Sequence, residues 1–87
     1  MDINKSVKKI QKRIAERNAS LKRLNKKFKR VSANRESLTA TSHKYQIAAR
    51  EELLLHNEIV ELQEQNIEDE EKITELMEEY RDELKYK

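Results

Sequence analysis

Apolar residues recur along this chain in alternating steps of four and three. The first run is Ile3, Val7, Ile10, Ile14, Leu21, Leu24, Phe28, Val31 and Leu38, with Arg17 and Arg35 at two places where the rhythm calls for an apolar side chain. The second is Tyr45, Ala48, Leu55, Ile59, Leu62, Ile73, Leu76 and Tyr80, with Glu52, Asn66 and Asp69 as its polar interruptions. A mean spacing of 3.5 residues keeps one apolar stripe along a helix and is the signature of a coiled coil. The phase of the repeat changes between Leu38 and Tyr45. The intervening Ser37-Leu38-Thr39-Ala40-Thr41-Ser42-His43 is also poorest in helix formers, because Ser and Thr compete for backbone hydrogen bonds. Ser42 or Thr41 is placed to cap a second helix at its N-terminus. The pattern predicts an all-α fold, an antiparallel coiled-coil hairpin in one domain spanning residues 1–87. Helix one is expected over about 3–38, the turn over about 39–43 and helix two over about 43–86.

Folding the chain back at the phase change pairs the stripes through residue numbers that add to 83, as in Val7 with Leu76, Ile10 with Ile73, Leu24 with Ile59 and Phe28 with Leu55. Any two such stripes can be mirrored, so the apolar pairs alone decide little. The polar interruptions decide more: Arg17 falls opposite Asn66, and Asp69 falls within reach of Arg13 or Arg17. The same seam also serves two chains laid antiparallel, each an uninterrupted helix of about 130 Å. The low-propensity run at the pivot favours the hairpin.

A parallel dimer of the second half is the other rival, with Leu55, Leu62 and Leu76 at heptad position d and Ile59, Asn66, Ile73 and Tyr80 at a. With a basic segment ahead of it, the chain is similar in outline to basic leucine-zipper proteins. Their basic-region signature, Asn-x-x-Ala-Ala-x-x-(Ser/Cys)-Arg, is not continued after Asn18-Ala19-Ser20, and the basic half here has its own apolar stripe to bury.

Charge sharpens the picture. Residues 1–50 carry fifteen Lys or Arg against three acids, and residues 51–87 carry four against fourteen, so the formal net charge of +2 is a cancellation. The chain has no Gly and no Pro to interrupt a helix. With 36% hydrophobic and 41% charged residues it lacks the apolar material of a layered globular core. No Cys is present, which removes disulfides and thiolate metal sites. The N-terminus is polar and no stretch is apolar enough to span a bilayer, so a soluble, cytoplasmic protein is expected.

With Val7, Ile14, Leu21 and Phe28 at a, the outward positions b, c and f of the first helix hold Lys8, Lys9, Lys12, Lys22, Arg23, Lys26, Lys29 and Arg30. A solvated face is the ordinary explanation of a charge run. Eight cations with only Glu16 among them exceed that need and repel one another at i,i+3 and i,i+4. They are the expected nucleic-acid-binding residues, contacting the backbone without sequence specificity, since no aromatic lies among them to stack on bases. The second helix carries an outward acidic ridge of Glu61, Glu64, Glu68, Glu71, Glu75, Glu78 and Asp82. It supports an alternative, a small inhibitor or adaptor of the phage or mobile-element type that mimics nucleic acid, with Glu64, Glu68, Glu71 and Glu75 as interface residues. Leu53, Val60 and Ile67 recur every seven residues at b, away from the seam, with Ile47 and Leu54 beside them, and are expected to be an exposed interface through which the protein forms a homo-oligomer. A purely structural or assembly subunit is a further alternative.

Catalysis is not expected. The Glu residues are strung along a rod, no glycine-rich phosphate loop exists, and no nucleophile has a base beside it. His43 in the turn and His56 at e supply at most two ligands, so neither a metal nor another cofactor is expected, nor a small-molecule substrate. His56, with Glu52 four residues before it, is expected to border the seam and pair with a carboxylate. A basic amphipathic helix over residues 3–31 could lie on an anionic membrane, but its narrow stripe is claimed by the second helix, and no membrane partner is expected.

Overall fold

The computed structural model describes residues 3–85 and contains two helices, α1 (Ile3–Glu36) and α2 (His43–Lys85). The molecule measures 68 × 16 × 14 Å. A 43-residue helix is about 64 Å long at 1.5 Å per residue, so the rod is one helix long and two helices thick. The chain is the expected antiparallel hairpin. Helix α2 packs on α1 of its own chain, and Asn66 donates to the side chain of Asn18 at 3.0 Å.

Both helix ends follow from their side chains. The Ser42 hydroxyl accepts the Tyr45 N–H at 3.1 Å and the Ser42 carbonyl accepts the Gln46 N–H at 3.2 Å, so Ser42 caps α2. Helix α1 stops at Glu36, two residues before the expected end. Ser37 N–H bonds the carbonyls of Ala33 and Asn34, both at 3.2 Å, Leu38 N–H bonds Arg35 at 3.1 Å, and the Ser37 hydroxyl bonds the Asn34 carbonyl at 2.7 Å. These tight bonds satisfy the last carbonyls without the left-handed residue that a glycine would supply, and no described residue has positive φ. The expected last residue of the second helix, 86, lies outside the described residues.

The seam is where the spacing puts it, but it is thin. Ile10, Ala48, Leu55 and Ile59 are buried, while Val7, Ile14, Leu21, Leu24, Phe28, Leu62, Ile73 and Leu76 are half-buried. Two helices cannot cover both sides of their shared stripe, and one consequence is that the surface stays large. The chain exposes 7258 Å², whereas a compact monomer of 10.4 kDa exposes about 5,400 Å². At the open end Tyr80, expected in the seam, is 46% exposed and lines a shallow groove with Ile3, Val7, Met77 and Leu84.

The polar interruptions meet one another. Arg17 pairs with the Asp69 carboxylate and donates to the Asn66 side-chain oxygen at 3.3 Å, while Arg13 adds a second ion pair to Asp69 at 3.0 Å. The Arg17 guanidinium, then Arg13, holds the Asp69 carboxyl below the usual carboxylate range. Nearer the turn Arg35 pairs with Glu52, and its guanidinium lies 5.8 Å from the centre of the Tyr45 ring. Hydrogen bonds to Glu52 and Tyr45 push the Arg35 pKa further up. Two polar layers thus fix which residues of α1 face which residues of α2, the role a polar group at a seam position serves in coiled coils.

Candidate functional site: two charged faces and a neutral flank

The phase of α1 sets its outer face. With hydrophobic positions a and d against α2, positions b, c and f point away from it, and the sequence fills these with Lys8, Lys9, Lys12, Lys22, Arg23, Lys26, Lys29 and Arg30. All eight are exposed. Among the described residues none of the eight forms an ion pair; the interhelical pairs use Arg13, Arg17, Lys27 and Arg35 instead. Arg23 reaches only the Ser20 hydroxyl, at 3.2 Å. From Lys8 to Arg30 the cations extend over about 33 Å of helix. Pairs such as Lys8–Lys12, Lys22–Lys26 and Lys26–Arg30 each repel by a few tenths of a kcal/mol, a cost that an approaching polyanion reverses.

The acidic ridge forms the opposite face of the rod. Glu61, Glu64, Glu68, Glu71, Glu75, Glu78 and Asp82 are all exposed and outside the interhelical ion pairs. Beside the ridge and nearer the turn, Glu51 reaches across to α1, at 3.9 Å from Lys27.

The interface stripe at b is more sunken than expected. Leu53 and Ile67 are 59% and 55% exposed, but Val60 is half-buried, so it sits at the bottom of the stripe rather than on its crest. Ile47 and Leu54 are 56% and 62% exposed and lie one step further round, in a groove with His43 and Arg50. His56 departs from expectation: the Glu52 carboxylate is taken by Arg35, and the imidazole packs instead against Phe28, with ring centroids 6.3 Å apart. Among the described residues no group of three His, Cys, Asp or Glu is placed to hold a metal ion, and no helix is long and apolar enough to cross a membrane.

The hairpin also has two unlike flanks, a feature the stripe-by-stripe reading missed. On one flank run position g of both helices, and there Arg13 meets Asp69 and Lys27 meets Glu51. On the other run positions e, and there Asn18 meets Asn66 and Phe28 meets His56. The e positions are Asn4, Gln11, Asn18, Asn25 and Ser32 on α1, and Ala49, His56, Gln63, Glu70, Met77 and Leu84 on α2. Glu70 is the single acid or base with a fixed charge among them, in a chain that is 41% charged. The g positions include Arg13, Lys27, Lys44, Glu51, Glu58, Lys72 and Glu79. Comparing e with g in the sequence, once the hairpin was assumed, was the signal that would have found it.

No family model, curated protein or solved structure matches this chain.

Proposed function

We propose that this protein is a non-enzymatic coiled-coil interaction module that binds a nucleic-acid backbone through the outer face of α1, without sequence specificity. The observation that carries this is the set of eight exposed cations from Lys8 to Arg30 that the hairpin leaves outside its own ion pairs. Backbone binding needs only a positive surface of sufficient length, and it is driven by release of the counterions condensed on the nucleic acid. Sequence reading needs planar donors directed at base edges or aromatics for stacking, and this face presents mostly lysine. Fluorescence anisotropy with a DNA duplex and an RNA strand tests the proposal. If about five phosphates are neutralised, log K falls against log salt with a slope of about −4.5 on duplex DNA. Absence of binding at low salt overturns it.

A second reading has its own observation. The seven carboxylates from Glu61 to Asp82 extend over about 32 Å, one per about 5 Å, against 3.4 Å per phosphate along a DNA strand. Such a ridge suits the basic channel of a nucleic-acid-handling protein, which the chain would occupy as an inhibitor or adaptor. Loss of a protein partner on reversing Glu64, Glu68, Glu71 and Glu75, with nucleic-acid binding absent, marks this reading. If neither ligand class binds, a purely structural subunit is what remains.

A further inference from the structure

We infer that a second copy of this chain docks antiparallel on the outer stripe of α2, with Val60 on the twofold axis facing Val60 of the other copy. Three observations converge on it. The hairpin exposes about 1,900 Å² more than a compact monomer of its mass, and a stable interface removes about 800 Å² from each partner. The excess includes the elongation of the rod, yet it leaves ample surface for such a contact. Next, Leu53, Val60 and Ile67 form a stripe that is its own mirror image about Val60: reversed, it sets Leu53 on Ile67 and Val60 on Val60. Leu53 and Ile67 stand out from the surface while Val60 is sunken between them. Lastly, the positions that border the stripe fix direction and choose the partner.

On the neutral border, antiparallel docking sets His56 beside Gln63 and Ala49 beside Glu70. On the other border it sets Arg50 beside Glu71 and Asn57 beside Glu64. No like charges face each other, and two copies of the Arg50–Glu71 pair form, one on each side of the axis. Parallel docking sets the border holding Glu70 against the border holding Glu71 and so brings Glu70 beside Glu71 of the other copy on both sides, while Arg50 faces only Ala49 and gains no acidic partner. Because α1 lies on the far side of α2 from this contact, the basic faces of both copies remain exposed, so dimerisation and nucleic-acid binding are separable properties.

Sedimentation equilibrium at tens of micromolar tests the inference on the full chain. The expected mass is twice 10.4 kDa. Val60→Glu is expected to give the single-chain mass with the helical circular dichroism retained, because Val60 lies off the hairpin seam. Arg50→Glu or Glu71→Arg, both at exposed positions that cannot unfold the hairpin, is expected to weaken the dimer at least about tenfold, and the double variant to restore it. A Val60→Cys variant is expected to form an interchain disulfide on mild oxidation, where a cysteine at exposed Lys26 forms none. A wild-type monomer overturns the inference. So does a dimer indifferent to Val60→Glu and to the charge swap, which would place the contact on another surface or exchange α2 between chains.

Discussion

The two outer faces of this hairpin are built on the same helical spacing and carry opposite charge, and they differ in how that charge is used. On α1 the cations nearest the seam, Arg13, Arg17, Lys27 and Arg35, are the ones that pair with α2. The eight beyond them are left over. On α2 the partners of those pairs are Glu51, Glu52 and Asp69, at or beside the seam, and the outward ridge from Glu61 to Asp82 is left over in turn. Charge that specifies the fold and charge that faces outward are thus carried by different residues on both helices. In a protein that needed charge only to pair its helices, the second set would serve solvation alone.

The comparison is broken most severely by removing the outward cations. Changing Lys8, Lys12, Lys22 and Lys26 to Glu is expected to lower nucleic-acid affinity at 50 mM salt by at least about 10³-fold and to flatten the salt slope, read by anisotropy. The matching reversal of Glu64, Glu68, Glu71 and Glu75 to Lys is expected to leave that binding intact or strengthen it. Next in size is the seam that holds the faces back to back. Leu55 is 5% exposed between the helices, and Leu55→Ala is expected to cost about 3 kcal/mol, a large share of the stability of such a thin-cored hairpin, read as a lowered midpoint in a chemical melt followed by circular dichroism.

Acid gives a smaller effect with a definite sign. The Arg17 and then the Arg13 guanidinium hold the Asp69 carboxyl below its ordinary value of 3.8, so the folded state binds the proton less readily than the unfolded one. Its contribution is present above about pH 4 and is lost as the pH falls through the lower folded-state value. Thermal melts of wild type and Asp69→Asn are therefore expected to differ at pH 6 and to converge toward pH 2. The smallest effect is at the turn, where Ser42→Ala removes the hydroxyl that caps α2 and is expected to cost about 1 kcal/mol in a chemical melt.

The direction of the hairpin was legible because its defects matched. Arg17, Asn66 and Asp69 are misplaced as apolar residues but complementary as a set, and no regular repeat would have said as much. The outward faces were legible for the same reason, since fixing a and d fixes b, c and f. The Arg35–Glu52 pair was not, because long side chains reach about a turn beyond the residue directly opposite, and simple mirror pairing sets Arg35 against Ala48. Nor was the end of α1 at Glu36, which depends on the Ser37 hydroxyl turning back to Asn34 rather than on any helix propensity. Tyr80 and His56 illustrate a further limit. Both lie where the spacing puts them, but a rod of two helices leaves the ends and flanks open, so position along the stripe does not guarantee burial.

The salt titration of wild-type binding to a DNA duplex, with the four-lysine reversal run beside it, tests the central claim most directly. Affinity that falls linearly in log salt with a slope of about −4.5, and vanishes in the variant, is the predicted result. Binding that ignores salt, that survives the reversal, or that is absent at low salt would contradict the assignment of the α1 face.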